Sequence, residues 1–494
     1  MGVEKIRARW PSRFVFILAA VGSAVGLGNL WRFPYLTYKY GGGAFLIPYL
    51  IALFVIGFPL LILEFALGQK IQRAAVDAFA SVKKQFAGVA WWALFSGFLV
   101  ITYYAVVMAW ALKYLASSLS VAWSGNSEGF FFNNVLGLSE SAAVLGGIQW
   151  PLFFALILVW LMIYFSVFKG VKSVGKVVLI TMPVPIILLF VLLFRALTLE
   201  GAGTGLYYFL IPNFAALLDP QVWVAAFSQI FFTLTLAFGV MVAYASFNDR
   251  HQDVSGNALW TAVINSLVSI VSGFVVFATL GFMSMSKGVG VPDVVASGPS
   301  LAFVVFPEAL SLMPWAPFFS VLFFLTLLML GIDSAFSIVE AIAAALKDKF
   351  GKIRRERLTF YICSIGFLLG IIYTTGAGLY FLDIVDHFVT NIAILTVGIL
   401  QCIMIGWVYG TARLRRYINR VSKFQIGKWW DVCIKYVTPL ILLTLLIFQL
   451  YTEFTTPYEG YPTWALLVGW GAVLIPLVIA FLIPQAEVLI DDED

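Results

Sequence analysis

Few residues in this chain are placed to do chemistry, and most of them interrupt apolar segments. Gly22, Gly26, Gly28, Asn29 and Arg32 stand within the first long apolar stretch, which runs over residues 14–38. A helix in hydrocarbon must satisfy its own backbone polar groups, because an unpaired one costs several kcal/mol. Helix-weakening residues followed by an arginine at mid-depth are therefore tolerated where broken backbone lines a cavity and binds something. Gly22 and Gly26 also read as a small-residue packing face, but that reading leaves Asn29 and Arg32 without a purpose. Where the first span unwinds, the amide N–H groups of Ala24 to Gly28 can meet a carboxylate, helped by the dipole at a half-helix N-terminus. Asp333 and Ser334 form a second polar interruption, in the eighth apolar segment. An ionised carboxylate at that depth needs a partner, and a bound cation would supply one.

The elements that position these residues follow from composition. With 62% hydrophobic and 11% charged residues and a mean hydropathy of +0.98, the 494-residue chain is an all-α polytopic membrane protein. Apolar runs near the ~20 residues that cross a bilayer fall at 13–38, 43–68, 89–116, 150–168, 176–198, 222–247, 257–284, 315–346, 358–376, 379–410, 432–452 and 462–484, twelve spans in all. The basic segment Met1–Arg13 leads into a full-length span and carries no cleavable-signal pattern. Of the 30 Lys and Arg residues, all but Arg32, Lys39, Lys113, Arg195 and Lys287 lie at the N-terminus or in alternate loops. That asymmetry places both termini in the cytoplasm of a multi-pass cell-membrane protein. The net charge of +5 is then topological and does not point to nucleic acid. Cys363, Cys402 and Cys433 build no disulfide framework. The absence of an Asn-x-Ser/Thr sequon fits a prokaryotic inner membrane, and the acidic tail Asp491–Asp494 reads as a solvated end.

The sixth span, through Phe227-Ser228-Gln229-Ile230-Phe231-Phe232-Thr233-Leu234-Thr235-Leu236-Ala237-Phe238-Gly239, is the second with polar and glycine interruptions. Interrupted segments at matching places in two halves point to an inverted-repeat transporter with its site at the midplane. The expected organisation is a first repeat over residues 1–198, a second over 199–410, and two peripheral spans with the acidic tail over 411–494.

These residues carry a family resemblance. Gly22 to Pro34, the run Gly41 to Tyr49, Gln229 to Leu234 and Leu330 to Phe336 resemble motifs of the neurotransmitter:sodium symporter family, in the right spans and order. The similarity covers residues 12–484. It implies a 5+5 inverted repeat with broken first and sixth helices. It also implies that the Tyr104 hydroxyl joins the amides on a substrate carboxylate, while carbonyls of Ala24, Phe232 and Thr233 and the Thr235 hydroxyl hold its ammonium. Family members that carry monoamines have aspartate where Gly26 stands, so Gly26 implies an amino acid bringing its own carboxylate. The implied side-chain pocket is Val100, Ile101, Tyr104, Phe232, Thr235, Phe238, Ser334 and Ile338, without an ionised group, which favours neutral hydrophobic amino acids.

The resemblance implies two sodium sites. The first would use Ala24, Asn29, Thr233 and Asn265, and the second Gly22, Val25, Leu330, Asp333 and Ser334, all oxygen ligands as a hard cation requires. Ser269 stands where the family's bacterial leucine transporter has glutamate and chloride-dependent members have serine. With Tyr49, Gln229, Thr233 and Asn265 it completes an implied chloride site. A lone helix serine more commonly bonds its own helix, so this expectation rests on the set. Arg32 with Asp386 would latch the outer end, beneath which Tyr104 and Phe232 form an aromatic lid. Arg7 with Asp348, braced by Trp10 and Ser246, would latch the inner end. Phe247 replaces the family's inner tyrosine. Gly175 and Pro185 resemble a hinge that lets span five unwind. Glu64 is expected to brace the broken sixth span, and Glu340 has no assigned role.

Other classes fit less well. The only histidines, His251 and His387, do not form a nucleophile–base pair or a metal-ligand cluster, so an intramembrane hydrolase is not indicated. A channel would not need paired gates. The nearest alternatives are a proton-coupled amino-acid permease of the same fold and a carrier of another small zwitterion. The oligomeric state is not legible.

Overall fold

A computed structural model describes residues 7–483, and the acidic tail Asp491–Asp494 lies outside the described residues. Among the described residues, ten helices are long and apolar enough to cross a bilayer. They are span two (Gly42–Ile71), three (Phe86–Ser117), four (Trp150–Val167), five (Val171–Leu197), seven (Val254–Lys287), eight (Ala316–Lys349), nine (Arg355–Thr374), ten (Gly378–Val421), eleven (Lys428–Gly460) and twelve (Thr463–Leu482). Spans one and six complete the set as broken helices. Among the described residues no β-strand forms, only the isolated bridge Ile148–Thr375. The protein is an all-α, multi-pass membrane protein.

Span one starts at a Ser12 cap, whose side chain accepts from the Val15 N–H, and runs Arg13–Ala24. It resumes as Leu27–Lys39 after a bend of 56°. Only Val25 (φ −79°, ψ 112°) and Gly26 (φ −136°, ψ −166°) leave helical geometry, so the rupture falls on the glycine cluster. Span six runs Pro220–Thr233 and Val240–Ala245. Its break is longer, over residues 234–239, and Thr235 (φ 53°), Ala237 (φ 66°) and Gly239 (φ 74°) are left-handed. For Thr235 and Ala237 that conformation costs of order 1–3 kcal/mol each, so the surroundings must hold it. A separate bend of 120° precedes this span, between Ala202–Leu218 and Pro220–Thr233, where Asp219 caps the helix through the Gln221 N–H.

Glu64, in the middle of span two and fully buried, supplies that hold. Its Oε1 accepts a 2.8 Å hydrogen bond from the Ala237 N–H, the bracing role expected for it. Span five is continuous on both sides of Met182, with Pro183 removing a backbone donor just beyond. Gly175 and Pro185 both lie within helix, so the unwinding expected of the hinge is not present in this conformation. Instead Gly175 admits close approach of Pro11 and Val15, for an added Cβ would sit 3.2 Å from Val15 and 3.4 Å from Pro11. The prolines nevertheless leave this ladder locally weak.

Removing the Glu64 acceptor leaves the Ala237 N–H buried without a partner, a loss of ~1–3 kcal/mol. Glu64→Ala should lower the thermal midpoint of the purified protein by several degrees, whereas Glu64→Gln, which keeps an acceptor oxygen, should recover most of it. Equal midpoints for Glu64→Ala and the native protein would remove the bracing role.

Candidate functional site

The two breaks face one another across a cavity of about 160 Å³. Span one lines it with Ser23, Ala24, Gly26, Leu27, Gly28, Asn29 and Arg32, and span six with Gln229, Phe232, Thr233, Thr235 and Phe238. Val100 and Tyr104 of span three and Ser334 and Ile338 of span eight, each pair four residues apart on one helical face, close the sides. Ile101 differs from expectation. It is fully buried and does not line the cavity, because one residue past Val100 rotates it about 100° away from that face. Arg32 also corrects the expectation of a pocket without an ionised group, since its guanidinium sits at the rim, 5.3 Å from the centre of the Phe232 ring.

The free amide row expected in span one is partly engaged. The Gly26 N–H donates to Asn29 Oδ1 (2.9 Å) and the Leu27 N–H to the Tyr104 hydroxyl (3.3 Å). Gly28 faces open space, so the N-terminus of Leu27–Lys39 presents its positive dipole end to the cavity. A Cβ at Gly26 would lie 3.0 Å from Ser334 Oγ and 3.2 Å from the Tyr104 hydroxyl, so glycine here leaves those hydroxyls in place.

Beside the span-one break the oxygens outnumber the donors. Ser334 Oγ lies 3.4, 3.3 and 3.2 Å from the carbonyls of Gly22, Ser23 and Val25, yet a hydroxyl has one proton to donate. Both carboxyl oxygens of Asp333 are buried without a hydrogen-bond partner. Asp333 Oδ2 would stand 2.7 Å from a Cβ at Gly22, so glycine lets the carboxylate approach the broken backbone. Leu330 lies one turn earlier on the same helix. An all-oxygen cluster around a buried carboxylate fits a hard monovalent or divalent cation. Thr235 Oγ1 donates to the Ser23 carbonyl (2.8 Å), and Ser23 Oγ and Ser337 Oγ are 2.8 Å apart. Sequence reasoning did not single out Ser23 or Ser337, which read as ordinary small residues.

Asn29, Thr233 and Asn265 also come together, but largely as partners of one another. Asn29 Nδ2 donates to Asn265 Oδ1 (2.9 Å) and Ser269 Oγ (2.8 Å), and Thr233 Oγ1 donates to Asn265 Oδ1 (3.3 Å). Ala24 lines the cavity alongside Thr233. Ser269 donates to the Asn265 carbonyl at 3.3 Å, the usual bond of a helix serine. The Tyr49 hydroxyl lies 3.2 Å from Ser266 Oγ, a residue the sequence did not single out. Gln229 is buried nearby with its carboxamide oxygen unpartnered. One asparagine, Asn29, thereby links the residues expected at the first sodium site to those expected at the anion site.

The two ends of the helix bundle, on either side of the cavity, differ. At the basic end Arg7 pairs with Asp348 (2.6 Å), donates to Ser246 Oγ (2.9 Å) and lies 4.5 Å over the Phe247 ring. Asp348 Oδ2 also accepts from the Ala74 N–H (2.8 Å), and Trp10 Nε1 donates to the Tyr244 carbonyl (2.8 Å). The Arg7 and Asp348 side chains are only 17% and 10% exposed. The pair is therefore largely shielded from water and is not a surface contact. Phe247 meets the Arg7 guanidinium through its ring face. Neighbouring Asp77, in the connection after span two, has its carboxyl pushed above the ordinary range, chiefly by burial and then by Asp348. At the opposite end no Arg32–Asp386 ion pair forms. Asp386 accepts from the Tyr103 hydroxyl instead, while Arg32 rests on Phe232. The described conformation is latched at the basic end and unlatched at the other. Glu340 pairs with Arg355, a tie between spans eight and nine.

Comparison with known proteins accords with this geometry. The model of the sodium:neurotransmitter symporter family matches residues 7–128 and 122–489. An uncharacterized sodium-dependent transporter of Methanocaldococcus jannaschii is 41% identical over 473 residues, covering 95% of this chain and 96% of its own. The sodium- and chloride-dependent taurine transporter of Rattus norvegicus is 36% identical over 529 residues, covering 97% of this chain and 85% of its own. The rat sodium- and chloride-dependent GABA transporter 2 is 36% identical over 512 residues, with 96% and 85% covered. With the family model and these relatives spanning nearly its whole length, the chain belongs to the sodium:neurotransmitter symporter family, a family of sodium-dependent membrane transporters rather than enzymes.

Proposed function

We propose that this protein is a sodium-coupled symporter of neutral amino acids with apolar side chains, works by alternating access and requires chloride. The observation that carries the reading is the oxygen cluster of Asp333, Ser334 and the span-one carbonyls beside a cavity closed to one side. The substrate carboxylate meets the Leu27–Lys39 N-terminus and the Tyr104 hydroxyl. Its ammonium meets carbonyls of Ala24, Phe232 and Thr233. Its side chain lies among Val100, Phe238 and Ile338. A cavity of about 160 Å³ is near the ~150 Å³ that holds one benzene-sized molecule, which favours a medium aliphatic side chain over an indole. A sodium ion at Asp333 relieves an otherwise unpaired buried carboxylate, and a second at Ala24, Asn29, Thr233 and Asn265 adjoins the substrate carboxylate. The ion at the first sodium site and the substrate carboxylate share an oxygen, and that sharing is the physical basis of coupling.

The basic end faces the cytoplasm by the positive-inside bias, in a cell membrane. The latched Arg7–Asp348 end is then the inner gate, and Arg32 closes the outer gate by leaving Phe232 for Asp386 once the site is filled. The two inverted halves exchange these states. A second reading, transport of another small zwitterion, draws support from relatives named for taurine and GABA and from the Arg32 cation at the rim.

Uptake into proteoliposomes with choline replacing sodium at fixed pH tests the reading. Abolished uptake supports symport, and unchanged uptake with acid stimulation supports a proton permease. In a competition panel leucine-sized neutral amino acids should displace label and decarboxylated amines should not. Taurine displacing better than every α-amino acid would favour the second reading.

Asp333→Asn removes the charge and Gly22→Ala pushes the carboxylate off the break. Each should raise the sodium concentration for half-maximal uptake by tenfold or more, ~1.4 kcal/mol, without loss of folded protein. Unchanged sodium activation in both would make Asp333 a packing residue.

Two sodium ions entering with a zwitterion carry two charges, each worth ~2.3 kcal/mol per 100 mV. An anion among Tyr49, Gln229, Thr233, Asn265 and Ser269 would offset that charge while the site is occluded. Uptake should fall when gluconate replaces chloride, and Ser269→Glu should transport without chloride. Indifference of the native protein to chloride would leave Ser269 as an ordinary helix serine.

A further inference from the structure

The outer corner built by spans ten to twelve is rich in acids and almost without bases. It holds Asp383, Asp386, Glu453 and Glu459, yet no lysine or arginine occurs over residues 358–412 or 436–483. His387 is the one basic side chain in those stretches, and it sits among the acids. Its Nε2 meets Glu453 Oε1 on span eleven. Gln449 Nε2, one turn earlier on that span, lies 3.0 Å from both of those atoms. His387 Nδ1 lies 3.4 Å from Asn391 Nδ2. The imidazole stacks on the Tyr458 ring, 3.5 Å between centres and 16° between planes. Tyr458 and Tyr461, on the connection to span twelve, donate to the two carboxyl oxygens of Asp383, each at 3.0 Å.

The His387 and Glu453 side chains are only 11% and 3% exposed. A carboxylate so little exposed needs compensation. Neutral imidazole offers it one hydrogen bond, whereas imidazolium offers that bond with charge, which makes it roughly twice as strong. No other cation in these stretches can take its place. Asp383 and Asp386, on the same helix, lie within electrostatic reach of the ring.

What His387 adjoins gives the contact its weight. Asp386 is the carboxylate that Arg32 must reach for the outer gate to close. It stands on a short outer half-helix, Gly378–Phe388, and the turn directly inside that half-helix, Val389–Ile394, is wound as a π-helix. That winding is rare and recurs at functional sites. The half-helix is held from other directions mainly by uncharged groups. Tyr380 donates to the Ser139 carbonyl (2.9 Å), and span twelve contributes the rings of Trp464 and Trp470. Span three contributes Tyr103, on Asp386, and span nine the Tyr373 ring against Tyr103. Among the described residues, His387 with Glu453 is the one tie on this half-helix that can carry charge on both sides.

We propose that His387 is a positioning residue of the outer gate. Its imidazolium, bound to Glu453, fixes the half-helix Gly378–Phe388 against span eleven, so that Asp386 stands ready for Arg32. The inference rests on the reading of Arg32 and Asp386 as the outer gate. While His387 holds its proton the tie is charged and closure is fast. As external pH rises and the proton leaves, the tie weakens and closure slows.

The test uses the full-length protein in a His251→Gln background, which leaves one histidine. Proteoliposomes carry saturating sodium and a fixed interior pH, with labelled leucine as the probe. Raising external pH from about 5.5 to 8.5 crosses the range in which an imidazole loses its proton. Uptake should fall roughly fivefold, the difference between a charged and a neutral hydrogen bond. His387→Gln and Glu453→Gln should each show the low rate at every pH. His387→Lys, which keeps a cation beside Glu453, should show the high rate at every pH. A second readout needs no substrate. Spin labels at Lys39→Cys and Leu379→Cys, on spans one and ten at the outer mouth, with Cys433→Ser to remove the half-buried thiol, report how firmly the half-helix is held. Their distance distribution should be narrow in acid and broad in alkali, and broad throughout in His387→Gln. Acid stimulation that survives His387→Gln, or a distribution indifferent to pH, overturns the inference. A proton permease would also respond to acid, but without sodium and whatever stands at position 387. Absence of sodium-driven uptake at every pH would refute the transport reading, and the spin-label distances would still decide the role of His387.

Discussion

Two spans of this protein stop being helical in the middle of a membrane, and the polar groups they release must find partners inside the protein. Water is absent at that depth, and an unpaired backbone group there costs several kcal/mol. The cavity is built from the answers to that demand. Tyr104 takes the Leu27 N–H, Asn29 the Gly26 N–H and Glu64 the Ala237 N–H. Thr235 covers the Ser23 carbonyl. What the protein leaves unanswered is equally informative. The carbonyls crowding Ser334 and both oxygens of Asp333 form a set of acceptors with too few protons, the arrangement a cation would complete.

The breaks also explain the difference between the two ends. Each half of the first span has its own arginine, Arg7 just ahead of the first half and Arg32 within the second. At the basic end the latch is layered. An ion pair, a cation–ring contact, a serine hydroxyl and an indole hydrogen bond tie the N-terminal segment to spans six and eight. At the opposite end Asp386 and Arg32 each have a different partner, Tyr103 and Phe232. An aromatic ring holds a guanidinium more loosely than a carboxylate does. Arg32 is therefore committed to no carboxylate in this conformation.

Much of this was legible in residue order. Apolar runs of spanning length set the helix count, because hydrocarbon thickness sets the length of a span. Glycines at 22, 26 and 28 marked the first break, which fell at Val25 and Gly26. An acidic residue at 333 in an apolar helix marked an ion-sized demand. Other features depend on neighbours brought from far along the chain. Ile101 adjoins Val100 in sequence, yet its side chain is buried outside the cavity lining. Tyr103, an aromatic next to Tyr104, carries no signal of its own in the sequence, yet it meets Asp386 across 283 positions. Ser23, Ser266 and Ser337 likewise gained roles only once helices lay side by side.

By itself the amino-acid sequence determined the membrane class, the spans, the positions of the two breaks and the residue types able to hold ions and a zwitterion. These follow from local composition, since the bilayer acts on each segment as a solvent. The tertiary structure alone decided which of those residues meet and which state of the gates is shown. It placed Asp333 against the backbone at Gly22 and linked Asn29 to Asn265 and Ser269. It also gave the Asp386 carboxylate to Tyr103 in place of Arg32. Hydrogen bonds form only within ~3.5 Å and at suitable angles, and such distances between remote segments are set by helix packing.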